Sequence, residues 1–284
     1  MITHADDPDS LQQPFEAAVV IPTILRPSLL DAVQSIFRQT GVERVQTVIG
    51  IDKHGGDPRI LDKILRARPK GHAVTIVDLG YSTAERNGGL YGDGNGGALR
   101  TALSYLANSR YVSYLDDDNW LDPRHLSTLL AAIAGKGWAY SLRWFVHHET
   151  REPLYIDIWE SVGPGRGIFC EEFDGWVDPN CLMIDKIACE PVLRWWSIPL
   201  AQDEEKRTGD RMVYRELVRN YSPGFTGEAT SFYLLSPGDQ IHPTRMERLT
   251  TWIARREALG RPPLRPSGYV PPKRPAKAKR SARP

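Results

Sequence analysis

The chain has 284 residues, 41% of them hydrophobic and 25% charged, which is ordinary for a soluble globular protein and sufficient for one large α/β domain or two small ones. No stretch approaches the roughly 20 apolar residues of a membrane span, and three cysteines without CxxC spacing exclude a disulfide framework or a zinc site. The formal net charge of +1 hides an asymmetry: eight of the 36 basic residues lie in 261–284, which contains no acid, leaving 28 basic against 35 acidic groups elsewhere. The opening MITHADDPDS lacks the basic and apolar regions of a signal peptide, so a cytoplasmic protein is expected.

Residues 1–16 read as a polar leader. Ala17 to Ile21 is an apolar run stopped by Pro22-Thr23, a strand, and Pro27 to Gln39 then has helical spacing through Leu29, Leu30, Val33, Ile36 and Phe37. Val45 to Ile51, rich in β-branched residues, predicts a second strand that ends at Asp52, with a helix over 59–67. A third strand, Val74 to Leu79, leads into the glycine-rich loop Asn87 to Gly97 and a helix over Ala98 to Ala107. The fourth, Tyr111 to Leu115, delivers Asp116, Asp117 and Asp118 at its C-terminal end. This alternation predicts βαβ units, a mostly parallel central sheet flanked by helices, and ligands bound beyond the carboxyl ends of the strands.

After about residue 135 the pattern is less regular, with Trp138, Trp144, Trp159, Trp176, Trp195 and Trp196 separated by Gly and Pro turns. This half reads as the substrate-facing part of one continuous domain. Trp195 and Trp196 are adjacent, so on a strand one would face outward, where its ring offers a large apolar face to a substrate. From Arg261 the Pro-rich basic segment has too few apolar residues to offset the entropy of ordering, and disorder is expected over 261–284.

Three consecutive carboxylates repel one another unless a cation or hydrogen-bond donors neutralise them. A divalent ion with hard oxygen ligands, Mn²⁺ or Mg²⁺, is the natural partner, held by one or two carboxylates together with substrate phosphates. An acidic turn before the helix that follows Pro123 is the competing reading.

The order of features resembles the family 2 glycosyltransferases over roughly residues 17–245. VVIPTILRP is similar to that family's opening motif, in which Pro22, Thr23 and Arg26 would line the nucleotide site. Asp52 matches the position whose carboxylate recognises the base, which favours a UDP donor. GNGGALRTALSYLANSRYVSYLDDDNWLDP resembles the family's helix with its arginine, Arg100, followed by a strand and a DxD motif at Asp116-x-Asp118. The chain departs at Thr101, where the family usually has Asn, and at Asn119, where it often has Asp. FDGWVDPNCLMI resembles the loop beside donor and acceptor, with Gly175 and Trp176 at its turn. RTGDRMVYREL is similar to the acidic motif before a helix, which makes Asp210 the catalytic base; its other reading is an N-cap of a helix over Arg211 to Val218. His242 corresponds to a late histidine that in many relatives completes the metal site.

The resemblance implies a GT-A domain over 17–260, with a nucleotide-binding half at 17–122 and an acceptor-side half at 123–260. Its expected reaction is metal-dependent transfer of a sugar from a nucleoside-diphosphate sugar to an acceptor hydroxyl, by a single inverting displacement. Asp118 would ligate the metal and Asp116 the ribose or a metal-bound water, with Asp117 between them, while Arg26 and Arg100 add positive charge near the diphosphate. The acceptor would be a carbohydrate or a lipid-linked sugar. The basic tail invites peripheral contact with the inner face of a membrane, whereas it lacks the ordered basic face and stacking aromatics of a nucleic-acid binder.

Other readings stand beside this one. Gly92 to Gly97 satisfies GxGxxG and opens a helix about 20 residues before Asp116, as in an NAD(P)-dependent oxidoreductase. A sugar-phosphate nucleotidyltransferase would share the sheet, and a non-catalytic GT-A descendant would keep the fold alone.

Overall fold

The computed structural model describes residues 1–92, 96–198, 209–238 and 241–260, together with Pro266, Tyr269, Pro271 and Pro272. The chain runs β1 (Ile2–His4), β2 (Ala17–Thr23), α1 (Leu29–Phe37), β3 (Val45–Ile51), α2 (Arg59–Ala67), β4 (His72–Asp78), α3 (Gly97–Leu106) and β5 (Tyr111–Tyr114). Strands β4, β3, β2 and β5 are neighbours in that order, and all pair in parallel. β3 is buried at every position and β2 at all but one, as strands covered on both faces must be. Alternate residues serve opposite layers. Ala17, Val19 and Ile21 join Leu29 and Val33 of α1 and Ile64 of α2, whereas Ala18 and Val20 join Leu99 and Leu103 of α3. Each such buried aliphatic side chain stabilises the fold by about 1.5–3 kcal/mol.

The expected leader is in part a strand. Ile2 pairs with Ile76 and His4 with Val74, antiparallel, so β1 covers the edge that β4 would otherwise expose. Three residues of mixed polarity carry too little periodicity to announce a strand; pairing partners supply what pattern does not.

The second half adds β6 (Trp120–Leu121), α4 (His125–Ala132), β7 (Trp138–Val146), β8 (Pro153–Ile156), β9 (Gly163–Pro164), α5 (Cys170–Phe173), β10 (Gly175–Trp176), β11 (Leu182–Asp185), α6 (Gly209–Asn220), β12 (Pro223–Leu234) and α7 (His242–Ala258). The sheet continues through β5, β11, β7, β12 and β6, with β8 paired to β7, giving ten strands among the described residues. β11 runs antiparallel to both β5 and β7, while β12 pairs parallel to β7. Because one sheet crosses both halves, the end of β12 arrives beside the aspartates after β5: Leu234 N donates to Asn119 Oδ1 at 2.9 Å.

Two expectations change here. Trp195 and Trp196 lie in a 3-10 helix, Glu190–Ser197, not on a strand, so strand alternation does not sort them. Trp196 is buried against Tyr114, ring centres 4.7 Å apart, and Trp195 is half-buried. The tail is docked at one described point, since Tyr269 packs on Phe232 at 4.9 Å and donates to the Arg151 carbonyl at 2.6 Å. Most of 261–284, and with it the membrane expectation, lies outside the described residues. Among those described, no helix is long and apolar enough to cross a membrane.

Candidate active site

A cavity of about 410 Å³ opens beyond the carboxyl ends of β2, β3 and β5. Pro22, Thr23, Arg26, Asp52, Arg100, Asp116, Asp117, Asp118, Trp176 and Asp210 all line it, so residues from both halves of the chain converge as the motifs implied. Gly175 does not line it. It supports Trp176 from behind: its φ is 95°, and an added Cβ would stand 2.2 Å from the Gly163 carbonyl oxygen.

The aspartates have distinct partners. Asp117 is buried, accepting from Thr23 Oγ1 at 2.6 Å and facing Arg26 Nε at 3.4 Å. Thr23 in turn accepts from Leu25 N at 2.8 Å, so Asp117 fixes the β2 exit loop rather than offering itself to a ligand. Asp116 pairs through Oδ1 with Arg100 and through Oδ2 with Asn180 Nδ2 at 2.9 Å, while its backbone N–H donates to Asn180 Oδ1 at 2.7 Å. Asp118 Oδ2 meets Arg26 Nη1 at 2.6 Å.

Charge is out of balance in this cavity: six aspartates and three arginines line it among the described residues. Burial, reinforced by Asp116 and only partly countered by Arg26, pushes the Asp118 carboxyl up to about 6. Its side chain keeps 40% exposure, but to a concave cavity ringed by protein rather than to open water, which is why burial dominates. Burial likewise raises Asp117, against the hydrogen bond from Thr23 and the charge of Arg26. Burial works to lower the Arg26 guanidinium, yet Asp117 and Asp118 outweigh it and hold it above its ordinary value.

Asp52 lines the cavity with its oxygens already engaged. Oδ1 accepts from Thr83 N and Thr83 Oγ1, both at 2.9 Å, and Oδ2 from Ser82 Oγ at 2.8 Å, so it anchors the loop after β4. Gly96, with φ 79°, brings the start of α3 against Pro22, where an added Cβ would stand 2.8 Å from the proline Cβ. This close approach aims Arg100, one turn into the helix, at Asp116. The GxGxxG run does not follow a strand directly, since β4 ends at Asp78, and its positions 93–95 lie outside the described residues.

Asp210 sits in the first turn of α6, whose described part begins at Gly209; the helix therefore includes Asp210 and does not start after it, as an N-cap would require. His242 departs from expectation. It opens α7 and does not line the cavity, and among the described residues no group of three His, Cys, Asp or Glu side chains is placed to hold a metal. That helix packs on Phe145 and Tyr155 through Leu249.

Sequence reasoning missed the support behind the cavity. Arg143, fully buried, donates to Asp157 at 2.8 Å, Glu160 at 2.8 Å and Asp178 at 2.5 Å. Arg245 closes the group, also meeting Glu160 at 2.7 Å. Asp178 lines the cavity and accepts from Asn180 Nδ2 at 2.6 Å, so a chain of hydrogen bonds runs from Arg143 through Asp178 and Asn180 to Asp116.

No protein-family model matches the chain, and no curated protein matches it. Solved structures do. S. aureus TarS aligns with 85% of this chain and 39% of its own length, at TM-score 0.54 and 13% identity. TarS 1–349 in complex with UDP aligns with 83% of this chain and 64% of its own, at TM-score 0.52 and 14% identity. For TarS 1–349 in complex with UDP-GlcNAc the shares are 84% and 66%, at TM-score 0.53 and 13% identity. The chain thus spans less than two thirds of each of these structures. At this level of identity the likeness is one of fold. The chain is built on the GT-A fold, with its cavity where the sheet's carboxyl ends meet the second half.

Proposed function

We propose that the chain is a metal-dependent glycosyltransferase that moves a sugar from a UDP-sugar to an acceptor hydroxyl with inversion. The observation that carries this reading is the convergence of Asp118, its carboxyl raised by unbalanced charge, and Asp210 on one cavity of a GT-A fold. The UDP and UDP-GlcNAc complexes of TarS 1–349 support a nucleotide-sugar donor.

The residues present fit a hard divalent cation. Asp118 supplies a carboxylate short of positive charge, which suits Mg²⁺ or Mn²⁺ sharing its coordination with substrate phosphates. Asp118 would hold the ion. Asp116, with both oxygens engaged, would reach it through water or orient the ribose. When bound, the ion supplies Lewis-acid stabilisation of the departing diphosphate. Arg26 and Arg100 place guanidinium charge on the same side. Asp210, on the same cavity, accepts the proton of the acceptor hydroxyl as that oxygen attacks the anomeric carbon and the bond to the diphosphate breaks. Trp176 offers an apolar wall against which a sugar ring can lie.

A screen of UDP-sugars for Mn²⁺-dependent hydrolysis or transfer, run with the wild type and Asp210→Asn, tests this. The variant should retain UDP binding and lose about 100-fold or more in turnover. Unchanged turnover would eliminate Asp210 as the base.

A further inference from the structure

Tyr233 takes no part in the assignments above. It lies on β12 opposite Phe145 of β7, and Phe145 meets its ring edge-on at 5.9 Å. Two buried guanidiniums hold the same ring, Arg143 at 4.3 Å from its centre and Arg245 at 5.3 Å. Turning the ring away would forfeit both cation–π contacts, so its place is set by the buried charge cluster behind it.

That place is on the cavity wall, with Asp178 and Asp116 among the charges the phenol feels. Yet among the described residues the Tyr233 hydroxyl has no hydrogen-bond partner. A half-buried tyrosine hydroxyl ordinarily finds one, and here the cavity is the space left for it. Tyr233 lines the same cavity as Asp178 and Asp210, and the backbone N–H of its neighbour Leu234 donates to Asn119, next to Asp118. A neutral donor at that position suits a neutral hydroxyl, whereas phosphate oxygens are served by Arg26 and Arg100.

We propose that the Tyr233 hydroxyl donates a hydrogen bond to a hydroxyl of the sugar carried by the nucleotide donor and so helps select that sugar. The inference rests on the glycosyltransferase reading and deepens it. A site built to hydrogen-bond one hydroxyl rejects sugars that lack it, because the donor would be left unpaired.

Tyr233→Phe is the test, since it removes one oxygen, breaks no described protein hydrogen bond and keeps the ring between its cations. With Mn²⁺ present, the variant should bind UDP within about twofold of the wild type, while kcat/KM for the UDP-sugar that the wild type turns over fastest falls about tenfold. Unchanged kcat/KM overturns the proposal, as does a loss of UDP binding by the same factor, which would place the contact on the nucleotide. A wild type that neither binds UDP nor turns over any UDP-sugar overturns the underlying reading, and that failure is seen before the variant is made.

Discussion

Two clusters of charge lie a few side chains apart, and they are built on opposite terms. Around Arg143 every strong donor meets a carboxylate: Asp157, Glu160 and Asp178 surround one guanidinium, Arg245 offsets Glu160, and none of the five side chains is more than 5% exposed. Asp118 instead shares its one guanidinium, Arg26, with Asp117, and its carboxyl is pushed up to about 6. The first cluster is complete without a ligand and serves as structure. The second leaves Asp118 short of positive charge, which is the feature on which the proposed metal site rests. Asn180 joins them, one amide touching both Asp178 and Asp116.

The sharpest way to break this contrast is to remove one partner from each side. Arg143→Met leaves buried Asp157 and Asp178 without their cation and Glu160 with Arg245 alone, and a destabilisation of about 3–5 kcal/mol is expected. Denaturant unfolding would read it, and a loss under about 1 kcal/mol would mean that the cluster is not structural. Asp118→Asn should act in the other direction. The folded-state value of Asp118 lies above that of an ordinary carboxyl, so its charged form opposes folding. The penalty is absent below about pH 4, grows as pH rises, and is complete above about 6. In metal-free, nucleotide-free protein at pH 7.5, taken here as a working condition of about one and a half units above that value, the variant should therefore gain stability. Discounted for its 40% exposure, the gain is about 1 kcal/mol, or about 2 °C in Tm. It should vanish near pH 4, and a variant less stable than wild type at the higher pH would contradict the imbalance.

Much of this was legible in the residues and some was not. β2, β3 and the aspartates after β5 were readable because fully buried parallel strands are continuous apolar runs that end where polar ligand-binding residues begin. The Arg143 cluster was not, since its partners stand 14, 17 and 35 residues away and no spacing rule joins them. Asn180 lies 64 residues from Asp116. Asp52 lines the cavity at the end of β3, but its ties to Ser82 and Thr83 depend on how the loop after β4 folds back. His242 opens α7, which docks through Leu249 on an apolar cluster that no sequence spacing announces, and it is not among the residues that line the cavity.

In the proposed reaction the cavity's excess of carboxylate holds a divalent cation, and the cation in turn holds uridine diphosphate. Calorimetric titration of the wild type and Asp118→Ala with UDP, with and without Mn²⁺, and with NAD as the rival ligand, tests it directly. The account predicts UDP binding by the wild type that requires Mn²⁺, loss of that binding in Asp118→Ala, and no binding of NAD. UDP binding that is indifferent to both Mn²⁺ and Asp118, or NAD binding in its place, would contradict it.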